Sequence, residues 1–170
     1  SYTVYPWSNK EVYILFDFNN TTHSLTKNEV TYEVNGNTVT QTGNICTDIS
    51  EGDCANVYKV DTLYIFNSYV KATVETEIGK ISKKVYVLID KESPSVSANY
   101  DTTVTKNNIK ITFTGNDGAG SGIAGFYFGT KSNPSLNEFN DLDFNYINKN
   151  GTYYYASVDK AGNMSKVESI

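Results

Sequence analysis

Apolar and polar residues alternate along most of this chain with a period of two. The clearest stripes are Val12, Ile14 and Phe16 in the first half and Ile109, Ile111 and Phe113 in the second. Successive side chains of a β-strand point to opposite faces, so this period gives each strand one apolar face. No window holds a 3.6-residue apolar period, and the pattern therefore predicts an all-β fold.

Turn-forming residues divide the alternating segments into strands. Asn35-Gly36 is the strongest hairpin signal, because both residues tolerate the positive φ that a two-residue turn needs. Residues 1–7 are aromatic-rich and irregular around Pro6, and are either a leading strand or the tail of a preceding linker. The predicted strands cover residues 11–18, 29–34, 37–41, 58–66, 69–76, 81–89, 95–98, 108–114, 123–128, 152–158 and 164–170.

The same plan occurs twice along the chain. The stripe at residues 12–16 is followed by a hairpin over residues 69–89, in which Val70, Ala72 and Val74 share the core face. The stripe at residues 109–113 is followed by a hairpin near the end of the chain. Because an apolar stripe is followed by a hairpin in both halves, the sequence predicts a duplicated module of roughly 80–90 residues. The polar segment that ends in Pro94 then separates two domains, residues 1–90 and residues 91–170.

The second hairpin carries a resemblance to a known family. Residues 150–163 are Asn-Gly-Thr-Tyr-Tyr-Tyr-Ala-Ser-Val-Asp-Lys-Ala-Gly-Asn, a strand composition between two turns. This order resembles the penultimate strand and closing turn of bacterial immunoglobulin-like surface domains. Residues 115–123 resemble the Asp-x-x-Ser-Gly-Ile signature of that family, and residues 90–94 resemble the Asp-x-x-x-Pro segment that joins its tandem domains.

The resemblance implies two tandem immunoglobulin-like β-sandwich domains in a bacterial cell-surface or secreted protein. It gives structural roles to Asp159, Gly162 and Asn163 in the closing turn. It also identifies Tyr153 as a tyrosine corner, a largely buried residue whose hydroxyl bonds to nearby backbone.

The sequence does not decide which side chains of the strand after Tyr153 point into the core. The pattern of the first hairpin places Tyr154, Ala156 and Val158 on the core face. A tyrosine corner places Tyr153 and Tyr155 there instead. A β-bulge would reconcile the two arrangements.

The charge balance excludes one class of partner. The net charge is −5, the pI is about 4.8, and all 14 basic residues are lysine. Because no basic stripe or arginine is present to neutralise phosphates, we expect no nucleic-acid binding. No apolar run approaches the ~18 residues that cross a bilayer, so we expect no membrane span in this segment. We expect the segment to belong to a longer chain with neighbouring domains.

Cys46 and Cys54 enclose seven residues rich in Asp, Ser, Glu and Gly. A zinc site needs more ligands than these two cysteines, and His23 is the one histidine of the chain. In an exported protein the spacing favours a disulfide that shapes a local loop, and two separate thiols remain the alternative.

Calcium is the metal that the acidic loops favour, because hard cations take carboxylate and carbonyl oxygens. None of these loops has the spacing of a helix-loop-helix site. We predict at most weak calcium binding, a fold that does not depend on metal, and no other cofactor. The candidate clusters are Asp90 with Glu92, Asp117 with Asn116, and Asp141 with Asp143.

The sequence gives little support to catalysis. His23 lies in a polar loop without a nucleophile signature, and acidic pairs such as Asp141 and Asp143 are common in loops. We therefore predict a non-catalytic extracellular segment that acts as a spacer or adhesion module, with an unidentified protein or glycan ligand. The alternative is a carbohydrate-binding accessory module of an extracellular enzyme, because the 14 tyrosines could offer flat surfaces to sugars.

Overall fold

The computed structural model describes residues 2–4, 6–18, 24–101 and 108–170. Within these residues the chain forms strands and two short 3-10 segments but no α-helix, which confirms the all-β class. The same residues contain no helix of the length and apolarity that crossing a membrane requires. The strands are β1 (Tyr2–Val4), β2 (Val12–Leu15), β3 (Glu29–Val34), β4 (Asn37–Thr42), β5 (Val57–Val60), β6 (Ile65–Thr76), β7 (Gly79–Asp90), β8 (Ser95–Tyr100), β9 (Ile109–Asn116), β10 (Ile123–Gly129), β11 (Phe144–Ile147), β12 (Tyr154–Asp159) and β13 (Glu168–Ser169).

Residue contacts divide the chain into two compact units, Ser1–Ile89 and Asp90–Ile170. The division lies one residue before the predicted boundary, so Asp90 belongs to the second unit. The stripe at Val12 lies on β2 and the stripe at Ile109 lies on β9. That a duplication produced the two units stays a prediction.

The first unit is a sandwich of two sheets. The larger sheet has the strand order β1-β7-β6-β3-β4, and the smaller pairs β2 with β5. Strand β3 is antiparallel to both β4 and β6, whereas β1 is parallel to β7. This is an immunoglobulin-like arrangement, in which the sheet of strands C, F and G faces strands B and E.

The core of the first unit lies between these two sheets. The predicted core face of β6 is confirmed, since Val70, Ala72 and Val74 are at most 1% exposed. Their partners come from both sheets and include Ile14, Phe16, Val30, Tyr32, Val60, Val87 and Ile89.

Tyr32 and Asn56 are among the polar side chains that are buried and hydrogen-bonded in the first unit. The Tyr32 hydroxyl donates to the Ala55 carbonyl at 2.5 Å, and burial raises the pKa of Tyr32. The Asn56 amide donates to the carbonyls of Phe16 and Cys46, each at 2.9 Å, and its oxygen accepts from the Cys46 N–H at 2.8 Å. Asn56 therefore fixes the position where the cysteine loop leaves the sandwich.

The second unit is also a two-sheet sandwich. One sheet has the order β11-β9-β8 and the other β10-β12-β13. In immunoglobulin terms these are strands A, B and E facing strands C, F and G. Phe113 on β9 contacts the rings of Phe126, Phe128 and Tyr155 in the other sheet, with centroids 5.7 or 5.8 Å apart.

These ring contacts decide which face of β12 is inward. Tyr155 faces Phe113, and Tyr153 stacks on Phe128 with ring centroids 5.2 Å apart. The arrangement implied by the tyrosine corner is therefore the one observed. Ala156 is nevertheless fully buried on the opposite face. Strand β12 is thus covered on both sides, which is why its sequence fitted both patterns.

The structure corrects several predicted strands. The single strand predicted over residues 58–66 is two strands, because β5 ends at Val60 and β6 begins at Ile65. Strand β11 was not predicted at all. The segment predicted as a strand over residues 164–170 pairs as β13 only at Glu168–Ser169.

Candidate functional site

Three aspartates meet in the second unit although they come from distant parts of the chain. Asp90 ends β7, Asp117 follows β9, and Asp159 ends β12. One carboxylate oxygen from each lies within 4.8 Å of the others. Asp90 and Asp159 are 0% and 2% exposed, whereas Asp117 is partly exposed. We refer to Asp90, Asp117 and Asp159 as the aspartate cluster.

The closing turn of the second unit positions Asp159. One oxygen, Oδ1, accepts from the backbone N–H groups of Ala161 and Asn163 at 2.9 and 2.8 Å. The other, Oδ2, accepts from the Asn163 side-chain amide at 2.7 Å. Gly162 has φ +89°, a conformation that side-chain-bearing residues rarely adopt, so the turn requires glycine there.

Asp90 is held by backbone N–H groups from two sides. Its Oδ2 accepts from Ser121 N–H at 2.7 Å, and its Oδ1 accepts from Glu92 N–H at 3.0 Å. Its backbone carbonyl accepts from the side chain of Asn163 at 2.8 Å. These bonds tie Asp90 to the turn that carries Asp159.

Asp117 is the incompletely bonded member of the cluster. Its Oδ2 accepts from Gly122 N–H at 2.6 Å, while its Oδ1 is buried and has no hydrogen-bond partner. Burial raises the pKa of Asp117. The N–H of Gly122 opposes that rise, the charges of Asp90 and Asp159 add to it, and the nearby Ser121 hydroxyl opposes it more weakly.

The backbone of Gly120 lies against the cluster. A Cβ atom at this position would come within 2.6 Å of both Asp117 Oδ2 and Asp90 Oδ2. The close approach therefore requires glycine. Among the described residues, no salt bridge joins a lysine to any of the three carboxylates.

The cluster differs from the predicted calcium sites. Asp90 and Asp117 were candidates in separate clusters, and the structure brings them together. Glu92 contributes a backbone N–H rather than its carboxylate. Asp141 and Asp143 are exposed and lie outside the cluster. Asp159 was assigned only to the closing turn, although each of the three segments that resemble the family contains one of the three aspartates.

The predicted disulfide is confirmed. Cys46 and Cys54 are bonded, with their Cα atoms 5.6 Å apart. The loop they close contains a 3-10 turn at Ile49–Glu51, and Asp48 caps it by accepting from Ser50 N–H at 2.9 Å. His23 lies outside the described residues.

Tyr153 shows the predicted backbone bond but less burial than expected. Its hydroxyl donates to the Lys149 carbonyl at 3.0 Å. The side chain is half-buried rather than largely buried, because Tyr153 lies just before β12, next to the exposed Gly151 and Thr152.

A groove of about 400 Å³ on the first unit shows no comparable chemistry. Its lining includes Lys27, Glu29, Thr31 and Glu75. Lys27 Nζ lies 3.3 Å from Glu75 and 4.0 Å from Glu29, so both glutamates of the lining pair with a lysine.

Comparison with known proteins finds solved structures that resemble this chain at low sequence identity. No family model matches it, and no curated protein matches it. Similar solved structures include the fibronectin(III)-like modules of Clostridium thermocellum CbhA, at 13% identity and TM-score 0.43 over 98% of this chain and 86% of that one. The N-terminal four Ig domains of Dscam1 isoforms 9.44 and 6.44 match at 11% and 12% identity, with TM-scores of 0.35 and 0.34. They cover 97% and 96% of this chain, which spans 42% and 41% of theirs.

Proposed function

We propose that the chain is a non-catalytic spacer and adhesion segment of a bacterial cell-surface or secreted protein. One observation carries the proposal: within each unit, the chain begins at one end of a sheet and finishes at the other. A unit built this way separates whatever is attached to its two ends.

In the first unit this follows from parallel neighbours. Tyr2 pairs with Lys84 and Val4 with Tyr86, so β1 and β7 run in the same direction. The start of β1 and the end of β7 therefore lie at opposite ends of the sheet. The backbone of Ser8 continues the alignment by donating to the Leu88 carbonyl at 2.9 Å.

In the second unit strand β12 gives the same result. Asp90, the first residue of the unit, lies beside Asp159 at the last position of β12. At the other end, Tyr153 and Ile170 exchange two backbone hydrogen bonds, of 3.0 and 2.9 Å. The six residues of β12 separate these points by roughly 20 Å at ~3.3 Å per residue.

The disulfide supports an extracellular location, because such bonds persist in oxidising compartments. An adhesive role is supported by the loop between β5 and β6, where Leu63 and Tyr64 are 83% and 62% exposed. We propose a protein or glycan at the cell surface as the ligand and further domains of a longer chain as neighbours. The acidic balance argues against nucleic acid.

The spacer role is tested by measuring how far the chain holds a tethered binding protein from a surface. A nanobody is tethered to beads through zero, one or two copies of this chain, or through a Gly/Ser linker of equal residue number. Capture of an antigen held behind a polymer brush should rise with each copy. It should rise less when the flexible linker is doubled, because the end-to-end distance of a random coil grows only as the square root of its length. Capture that does not change with copy number would contradict the proposal. A glycan-array signal that needs one surface tyrosine would favour the carbohydrate-binding alternative.

A further inference from the structure

The aspartate cluster has the properties of a cation site rather than of a structural acid network. We propose that Asp90, Asp117 and Asp159 bind one calcium ion through their carboxylate oxygens. The inference does not rest on the spacer role, and it replaces the expectation from sequence of weak binding at unconnected loops.

The unpartnered oxygen is the first observation that points to a ligand. Asp117 Oδ1 is buried and accepts no hydrogen bond from the protein. A buried carboxylate oxygen without a partner is costly, and buried polar groups are nearly always satisfied. The same carboxylate already accepts from Gly122 through its other oxygen, so Oδ1 is the free lone-pair donor of the cluster.

The charge of the cluster is the second observation. Asp90 and Asp159 are at most 2% exposed, and Asp117 lies beside both. Backbone and amide N–H groups supply only partial positive charge, and no salt bridge to lysine compensates the cluster among the described residues. Buried charges in proteins are paired or coordinate metals. A divalent cation would offset most of this negative charge.

The spacing suits calcium. Ca²⁺ binds oxygen at about 2.3–2.6 Å, so two of its ligands lie at most about 5 Å apart. The cluster oxygens lie within 4.8 Å of one another, inside this limit. Mg²⁺ demands near-ideal octahedral geometry, dehydrates reluctantly and is usually held by only one or two carboxylates, so three converging carboxylates favour Ca²⁺. Asp117 is partly exposed, which gives an ion a path to the site and lets water complete its coordination.

The first unit contains a natural comparison for Asp159. Thr76 precedes Gly79 by three residues, as Asp159 precedes Gly162. Thr76 Oγ1 accepts from the N–H two residues on, at Ile78, as Asp159 accepts from Ala161. A neutral hydroxyl therefore holds the equivalent turn, so the turn alone does not need a carboxylate. The turn therefore does not explain why residue 159 carries a negative charge.

One alternative explains the same oxygens without a metal. A proton on Asp117 would let that carboxyl donate to a neighbouring carboxylate. The protonated cluster needs no cation and would give no calcium response at neutral pH, so the two arrangements are separated by measurement.

The test uses the whole chain after chelator treatment and dialysis. Isothermal titration calorimetry at pH 7 should give one Ca²⁺ per chain, with a dissociation constant below about 1 mM, the weak limit of extracellular modules. Differential scanning calorimetry in about 10 mM Ca²⁺ should raise one of two transitions by about 5 °C or more. Trp7, the one tryptophan of the chain, lies in the first unit, so the unfolding seen by its fluorescence should not change.

Two matched variants complete the design. Asp117→Asn keeps an oxygen for Gly122 N–H but removes the ligand charge, and should reduce calcium affinity at least about tenfold. Asp141→Asn removes an exposed acid of the same unit and should bind as the wild-type chain does. Absence of calcium heat in the wild-type chain, equal stabilisation by Mg²⁺, or an unchanged response in Asp117→Asn would each overturn the proposal.

Discussion

Asn163 holds both oxygens of the Asp159 carboxylate, with its backbone N–H on Oδ1 at 2.8 Å and its side-chain amide on Oδ2 at 2.7 Å. The same amide donates to the Asp90 carbonyl at 2.8 Å. One side chain therefore joins the first residue of the second unit to its closing turn.

We expect Asn163→Ala to destabilise the second unit by about 1–3 kcal/mol, because Oδ2 of a buried carboxylate loses its donor. Urea unfolding of the second unit in chelator measures the change. Asn99→Ala, at an exposed position of β8, is the control and should stay within about 0.5 kcal/mol of the wild-type chain. Equal effects of the two substitutions would remove the role assigned to Asn163.

Gly162→Ala should cost on the order of 1–3 kcal/mol, because φ at this position is +89°. Gly151→Ala is the matched control: a Cβ there would meet only the ring edge of Tyr153, at 3.8 Å. Chemical denaturation should therefore separate the two glycines. A tolerated Gly162→Val would show that the turn can rearrange.

Tyr32→Phe and Tyr153→Phe each remove one hydroxyl bond, one in each unit. Tyr32→Phe should cost about 1–3 kcal/mol, because the buried Ala55 carbonyl loses its donor. Tyr153→Phe should cost about 0.5–1 kcal/mol, since its ring still stacks on Phe128 and the lost bond is near solvent.

The same two variants test whether the units unfold independently. Trp7 fluorescence should report only the Tyr32→Phe change, because each unit has its own core. If Tyr153→Phe shifts the tryptophan signal as well, the chain unfolds as one body and the predicted two-domain division is wrong.

Replacing Cys46 and Cys54 with alanine should lower the stability of the first unit by about 2–3 kcal/mol on the chain-entropy model. The effect is modest because the closed loop is short, with a separation of eight residues. The Asn56 side chain still makes two hydrogen bonds to the backbone of residue 46 and one to the Phe16 carbonyl, so we expect the sandwich to persist. Unfolding of the double variant, monitored at Trp7, checks both points.

The raised pKa of Asp117 gives the metal-free second unit a pH dependence of known sign. In the folded state the group keeps its proton above the ordinary value of 3.8, so the folded state binds more protons than the unfolded one there. Stability therefore falls as pH rises from about 3.8 to the raised value. Asp117→Asn should remove this slope in chelator and stabilise the metal-free unit at pH 7. With calcium present the same substitution should destabilise it.

The alternation of apolar and polar residues predicted most of the strands correctly, and each wrong prediction has a cause in the local sequence. Leu63 and Tyr64 have strand-like composition but are exposed in a loop, so residues 58–66 were predicted as one strand. Strand β11 has only four residues, with the polar Asn145 between Phe144 and Tyr146, and its short stripe was missed. The inward face of β12 was ambiguous because both of its faces are buried.

The aspartate cluster was beyond local reasoning. Its members are 27 and 42 residues apart in sequence, and the ends of different strands bring them together. The sequence identified each Asp separately, as a residue of a turn or of the domain boundary. That they share one site depends on how β9 and β12 are placed in facing sheets.

The parallel pairing of β1 with β7 also decides how the first unit responds to tension. A force that pulls on the start of β1 and the end of β7 acts along both strands in opposite directions. The backbone bonds across Tyr2–Lys84 and Val4–Tyr86 are then loaded in shear, all at the same time, rather than peeled apart one by one. Rupture has to break the whole set together, so the first unit is mechanically strongest along the line that joins the start of β1 to the end of β7.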